Sequence, residues 1–146
     1  MRFFDELNLE SRTLGRSDYP AEFPLREVLV IAKHCAGGVI LGFEQFQASA
    51  GTWKRDHEKE KKLKPEETVA FATPWNHLEA GILFALRLPV LIFREEGISG
   101  GVFDTGSTDV FVRKLPLGEP KKDELDGLKE VFLKWHAKVS TRYYRL

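Results

Sequence analysis

Apolar positions in this chain recur in two patterns, a helical spacing and short continuous runs. The helical spacing is found in residues 2–8, 25–36 and 74–86 and in a segment that begins near Lys122. Short apolar runs bounded by glycine, proline or polar residues predict strands at 11–14, 39–43, 89–93 and 110–115. Strands and helices therefore alternate along most of the chain.

This alternation favours a mainly parallel sheet with helices on both faces. The predicted fold class is α/β, a three-layer α/β/α sandwich, and 146 residues fit a single domain over 1–146. Ligands bind such sheets at the carboxyl ends of the strands. The loops expected at that edge are 15–24, the segment after Phe43, Ala72–Trp75 and 94–109.

Residues 44–66 are the least patterned part of the chain. The alternating charges of KRDHEKEKKLK, residues 54–64, predict a solvated loop or a frayed surface helix. A ligand-binding role for these basic residues is the less favoured alternative.

Composition argues against several classes of partner. Lysine and arginine number 22 and aspartate and glutamate 22, so no net field favours nucleic acid or an anionic membrane, and we expect neither as a partner. Cys35 is the only cysteine, which excludes an internal disulfide and fits a reducing, cytoplasmic location. No signal peptide or membrane-spanning pattern is present, and the four histidines lack metal-ligand spacing, so we expect no metal.

The helix predicted over 74–86 carries the strongest functional candidate. Thr73 suits the N-cap and Pro74 the first helical position. The apolar face predicted for this helix is formed by Trp75, Leu78, Ile82, Leu83 and Leu86. Glu79 lies in the middle of that face, where a carboxylate is costly unless it is paired, hydrogen-bonded or protonated.

Two interpretations of Glu79 stay open on the pattern alone. It is either a functional acid that lines a ligand cleft or a structural group that pairs with an arginine such as Arg16 or Arg94 or caps a backbone donor of a neighbouring loop. His77 faces away from Glu79 on the helix, so the two do not form a dyad. The glycines of GISGG, residues 97–101, are better explained by a tight turn than by phosphate binding.

The stretch from Thr73 to Glu79, TPWNHLE, resembles the segment of Toll/interleukin-1-receptor-like (TIR-like) domains in which a tryptophan precedes a glutamate by four residues. With the following EAGI and LPVLI it is also similar to nucleoside 2-deoxyribosyltransferases. The resemblance extends over roughly Leu14 to Leu115. It implies a flavodoxin-like parallel sheet and breakage of an N-glycosidic bond.

By this resemblance Glu79 is the catalytic carboxylate, and NAD or a related nucleotide is the substrate, with no bound cofactor. Trp75 would form a wall for the base, and Arg16, Asp18 and Tyr19 would supply polar contacts. Phe43 and Asn76 complete the predicted substrate-binding set.

The chain departs from these families in two ways. Their first, central strand has no counterpart here, because Met1 starts within what would be the following helix. This departure predicts a truncated or misassigned N-terminus, another subunit that fills the gap, or a degenerate remnant of the fold. The charged insert and the loop at 95–109 suggest a subfamily like the bacterial TIR-like proteins associated with defence. We therefore also expect a homo-oligomer or a partner TIR-like subunit. Besides the N-glycosidase, a nucleotide-sensing or self-associating signalling module without turnover and a structural adaptor stay open as alternatives.

Overall fold

The computed structural model of the protein describes residues 2–13, 24–106, 112–116 and 118–144. The chain divides into two compact units, Met1–Cys35 and Ala36–Leu146. The single domain over 1–146 therefore stays a prediction.

The first unit contains two helices, α1 (Arg2–Glu6) and α2 (Pro24–Lys33). Both predicted helices are present, although each ends earlier than expected. The helical spacing over 25–36 predicts a buried stripe of Leu25, Val28, Leu29, Ala32 and Cys35. In α2, Val28 and Ala32 are buried, but Leu25 is exposed. The strand predicted at 11–14 is wrong for the described residues 11–13, which are exposed and join no sheet.

The second unit holds a parallel sheet, two small antiparallel sheets and two helices. In chain order these elements are β1 (Gly38–Gly42), β2 (Phe46–Ala48), β3 (Thr52–Trp53), β4 (Lys61–Lys62), β5 (Val69–Phe71), α3 (Pro74–Ala85), β6 (Val90–Arg94), β7 (Val112–Lys114) and α4 (Lys122–Tyr143).

The parallel sheet has the strand order β1-β6-β7, with Ile40, Ile92 and Val112 in register. The strands predicted at 39–43 and 89–93 are thus present, as is the described part of the one predicted at 110–115, and the fold is mixed α/β. In β6 the consecutive residues Leu91 and Ile92 are 2% and 1% exposed, so both faces of the central strand are covered. The continuous apolar run at 39–43 predicts a strand that is buried on both faces. This prediction is wrong for β1, because Leu41 is exposed.

The solvated loop predicted for the charged run 54–64 is present over residues 54–60, which are exposed, but Lys61 and Lys62 at the end of the run form a strand. Strand β2 pairs antiparallel with β5, and β3 pairs antiparallel with β4. Residues with high strand propensity, among them Phe46, Thr52 and Trp53, support this pairing. Alternating charges are compatible with a solvated strand as well as with a loop, which is why the pattern of 54–64 did not distinguish them.

Helix α3 is joined to β6 by a tightly bonded turn. Arg87 adopts a positive φ of 54°. Its N–H bonds to the Phe84 carbonyl at 2.8 Å, and the N–H of Leu88 bonds to the Leu83 carbonyl at 3.0 Å. This pair of bonds is the Schellman motif that ends many helices. Because the turn is so short, α3 runs back along the sheet and begins near the carboxyl ends of the strands.

Side chains of helix α4 donate hydrogen bonds to the carbonyl groups of this turn. The Arg142 guanidinium donates to the carbonyls of Leu86 and Arg87 at 3.2 and 3.1 Å, and Trp135 Nε1 donates to the Pro89 carbonyl at 3.0 Å. The apolar spacing of this segment predicts one packed face formed by Leu125, Leu128, Val131, Phe132, Trp135 and Val139. This face is confirmed, with Phe132, Trp135 and Val139 buried. Along the described residues, no helix is long and apolar enough to span a membrane.

The loop after β6 is packed rather than open. Ile98 and Phe103 are fully buried, and residues 101–103 form one 3₁₀ turn. Gly97, Gly100 and Gly101 all have positive φ, which accounts for glycine at these positions. The ring of Phe103 lies directly over β1, where a Cβ added at Gly42 would be 2.4 Å from Phe103 Cε1.

We predict that Gly42→Ala lowers the free energy of unfolding by about 1–3 kcal/mol, because the new methyl group overlaps a fully buried ring. Urea unfolding followed by circular dichroism measures this change. The matched control is Gly51→Ala: no atom lies within 4 Å of the added Cβ, and we expect a change within about 0.5 kcal/mol. Equal stabilities of the two variants would contradict the packing of Phe103 on β1.

Candidate functional site

The carboxyl edge of the parallel sheet is formed by loops that are bonded to one another. The backbone N–H of Glu44, after β1, donates to Glu95 Oε2, after β6, at 2.6 Å. The N–H of Gln45 donates to the carbonyl of Phe71, the last residue of β5, at 2.9 Å. The loops after β1 and β6 and the segment leading into α3 are therefore held together at this edge.

The first turn of α3 completes the edge. Thr73 Oγ1 accepts a hydrogen bond from the N–H of Trp75 at 3.4 Å, and Pro74 occupies the first helical position. Both predictions for the helix start are confirmed. The ring of His77 packs edge-on against Phe103 with ring centres 5.4 Å apart, so the start of α3 lies against the loop after β6.

The buried face of α3 differs from the predicted one. The residues that are buried are Asn76, Ala80 and Leu83, whereas Leu78 is 47% exposed. The helix is apolar on nearly every side, so periodicity did not reveal which side meets the sheet. Leu83 fills the space that a Cβ at Gly38 would occupy, which orients the helix on β1.

Glu79 is half-buried on α3, one turn after Asn76. Burial raises the pKa of its carboxyl group, and a side-chain hydrogen bond from Asn76 partly offsets this by lowering the pKa. Glu79 forms no ion pair with any residue that the structure describes. Arg94 instead donates from Nη1 to the carbonyl of Ile98, so the expected alternative of a Glu79–Arg94 pair is not formed; Arg16 lies outside the described residues.

Asn76 is the most unusual polar residue of this helix. It is only 8% exposed, and its Oδ1 has no hydrogen-bond partner in the described part of the chain. A buried acceptor left unpaired costs about 1–3 kcal/mol. Two acceptors, the Asn76 amide oxygen and the Glu79 carboxylate, thus lie one helical turn apart without a donor that fully satisfies them.

The other predicted site residues are only partly brought together. Trp75 is half-buried on the same helix, and Phe43 is exposed at the end of β1. Arg16, Asp18 and Tyr19 lie outside the described residues. Among residues 2–13, 24–106, 112–116 and 118–144, no group of three or more metal-ligating side chains is found.

Sequence reasoning missed two carboxylates that shape this edge. Glu95 bonds the loop after β1, and Asp104 Oδ1 accepts the N–H of Gly100 at 2.7 Å. Neither is marked by spacing or hydropathy, because each acts through a backbone group that comes close only in the folded chain. The one available signal was their position in the loop that follows a buried strand.

No family model, curated protein or solved structure matches this chain.

We predict a pH-dependent stability difference between the wild-type protein and Glu79→Gln. Because burial raises the folded-state pKa of Glu79, the folded protein keeps a proton that the unfolded chain has already released. The wild-type free energy of unfolding therefore falls as pH rises from the usual glutamate pKa, about 4.3, through the raised one. Glu79→Gln has no ionisable group at this position and does not lose stability in this way. The free energy of unfolding of the variant relative to the wild type should therefore rise across that pH window and then level off.

Urea unfolding at a series of pH values tests this prediction. Glu96→Gln is the opposite-sign control, because the hydrogen bond from Lys114 lowers the pKa of Glu96. The ionised Glu96 side chain therefore stabilises the folded wild-type protein at neutral pH, and this stabilisation is lost on acidification. The Glu96→Gln variant should be slightly less stable than the wild type at neutral pH only. A Glu79→Gln profile parallel to the wild type would show that Glu79 is not desolvated.

Proposed function

We propose that this chain binds a nucleotide at the carboxyl edge of its parallel sheet and breaks the nucleotide's N-glycosidic bond, with Glu79 as the catalytic carboxylate. The observation that carries the proposal is a half-buried glutamate beside a buried asparagine; within the described part of the chain the glutamate has no cationic partner and the asparagine oxygen has no hydrogen-bond donor. Such a group is expensive to maintain for stability alone.

The donor–acceptor chemistry of these two side chains suits a ribose. The Glu79 carboxylate and Asn76 Oδ1 are both acceptors, and a ribosyl ring offers hydroxyl donors on neighbouring carbons. A hydroxyl bonded to Oδ1 would satisfy the acceptor that is left unpaired in the free protein. This contact would place the sugar, rather than the base or the phosphates, next to Glu79.

A desolvated carboxylate also suits the reaction. When the C1′–N bond breaks, its electron pair leaves with the base, and positive charge develops at C1′ and the ring oxygen. A poorly solvated anion gains more from this new charge than from the neutral substrate, which lowers the barrier. Water then forms the new bond to C1′ and loses a proton, for which the Glu79 carboxylate is a nearby acceptor.

The resemblance of Thr73–Glu79 to TIR-like and nucleoside 2-deoxyribosyltransferase segments supports the same assignment, and with it a flavodoxin-like arrangement of the sheet. NAD is the first substrate to test on this ground, since nicotinamide is a good leaving group. Trp75, half-buried one turn before Glu79, is the candidate wall for the leaving base, and Phe43 at the end of β1 is a second one.

We predict that the purified chain releases nicotinamide from NAD and that Glu79→Gln lowers the rate at least about 100-fold, because the amide cannot carry the negative charge. Nicotinamide is quantified by liquid chromatography. Glu130→Gln, on the exposed side of α4, is the matched control and should keep the wild-type rate. Equal release by wild type and Glu79→Gln, or release by neither, would remove the enzymatic proposal.

A self-associating module without turnover is the second candidate. The observation that favours it is an apolar outer side of α3, where Leu78 is 47% and Phe84 57% exposed. We predict that the wild-type chain shows a concentration-dependent mass in sedimentation equilibrium and that Leu78→Ser/Phe84→Ser shifts it toward the monomer. A monomer at every concentration would exclude this candidate, and nicotinamide release distinguishes it from the first.

A further inference from the structure

The two small antiparallel sheets carry a row of exposed aromatic side chains. Phe46 of β2 is 62% exposed and Trp53 of β3 is 47% exposed. Between them lies Phe71 of β5, which is paired in register with Phe46 and whose ring centre is 6.0 Å from that of Trp53. Together with Lys61 of β4, these residues are called the aromatic–lysine face below.

The position of Lys61 follows from strand register. Trp53 and Lys61 are directly opposite each other in the β3–β4 pair. Opposite residues of an antiparallel pair project from the same face, so the lysine side chain lies beside the indole ring. Trp53 is thus supported on Phe71 and flanked by a cation, while nearly half of its surface stays in water.

This part of the chain is also locally basic. Residues 52–64 contain six lysine or arginine side chains and three acidic ones, although the whole chain is neutral. Lys54, Arg55, Lys59, Lys61 and Lys62 form no ion pair with any described residue. One of the three acids, Glu60, is engaged by the N–H of Asp56 at 2.8 Å. The argument from net charge against a nucleic-acid partner therefore does not apply to residues 52–64.

We propose that the aromatic–lysine face binds single-stranded nucleic acid. Bases would stack on the exposed rings of Trp53 and Phe46, and the phosphates would lie along Lys61 and the basic residues of the 54–60 loop. Exposed aromatic rings interleaved with unpaired cations are the two features that sequence-tolerant single-strand binding uses. This proposal rests on other residues than the one at Glu79 and does not depend on it.

The exposed aromatic rings, together with the positive charge, favour a nucleic acid over an acidic protein segment. Lysines alone would attract either polyanion, but a carboxylate-rich peptide has no flat rings to cover Trp53 and Phe46. A base has such a ring and can use the open face of the indole. A duplex keeps its bases stacked inside and would leave both aromatic side chains uncovered, so the single strand is the preferred form.

Fluorescence anisotropy with a labelled mixed-sequence single-stranded DNA of about 20 nucleotides tests the proposal on the full chain. We expect Trp53→Ala to weaken binding at least about tenfold, as loss of one base-stacking partner does, and Trp53→Phe to restore most of the affinity. A Lys54→Gln/Lys61→Gln/Lys62→Gln variant should bind more weakly and show a shallower dependence on salt concentration. Tyr143→Ala and Lys122→Gln, exposed residues of α4, are the matched controls and should bind like the wild type.

Three results would overturn the proposal: no binding at low salt, binding that is unchanged by Trp53→Ala, and equal competition by a poly-glutamate peptide of the same charge. The Trp53→Phe variant separates stacking from folding, because it keeps an aromatic ring on Phe71. Quenching of tryptophan emission by the oligonucleotide in the wild type, absent in Trp53→Phe, would place a base on the indole and support the proposal.

Discussion

The turn between α3 and β6 is the constraint on which the second unit depends. A Schellman motif ends the helix at Leu86, and the Arg142 guanidinium covers the carbonyls of Leu86 and Arg87. These carbonyls would otherwise be unpaired at a helix end. Because the turn is short, α3 lies antiparallel to β6. The first two turns of the helix, which contain Asn76 and Glu79, therefore lie at the carboxyl edge of the sheet. The proposed active site is a consequence of this geometry.

The elements that could be predicted from the sequence are those whose signal is local. Thr73 and Pro74 mark a helix start through backbone chemistry alone. The apolar runs at 39–43 and 89–93 mark strands, and the face of α4 follows from its spacing. The position of Glu79 among apolar residues likewise marked it as a group that needs an explanation, and its raised pKa agrees with that.

Features that depend on contacts distant in sequence could not be predicted. The face that α3 buries is set by Leu83 over Gly38 rather than by its own hydropathy. The orphan oxygen of Asn76 exists only because the fold encloses it. The pairing of β2 with β5 and of β3 with β4 joins strands of only two or three residues, which are too short to give a periodic signal. Only this pairing gathers three aromatic rings and an unpaired lysine on one surface.

The contact between His77 and Gly101 has a consequence for how a ligand would be received. A Cβ at Gly101 would lie 2.9 Å from the His77 ring, so the start of α3 and the loop after β6 touch with no space between them. Neither can shift without the other, and the loop is further anchored by the buried Ile98 and Phe103. A ligand at this edge would meet a surface that is already arranged. Little conformational entropy would be lost on binding, and affinity would depend mainly on the contacts themselves.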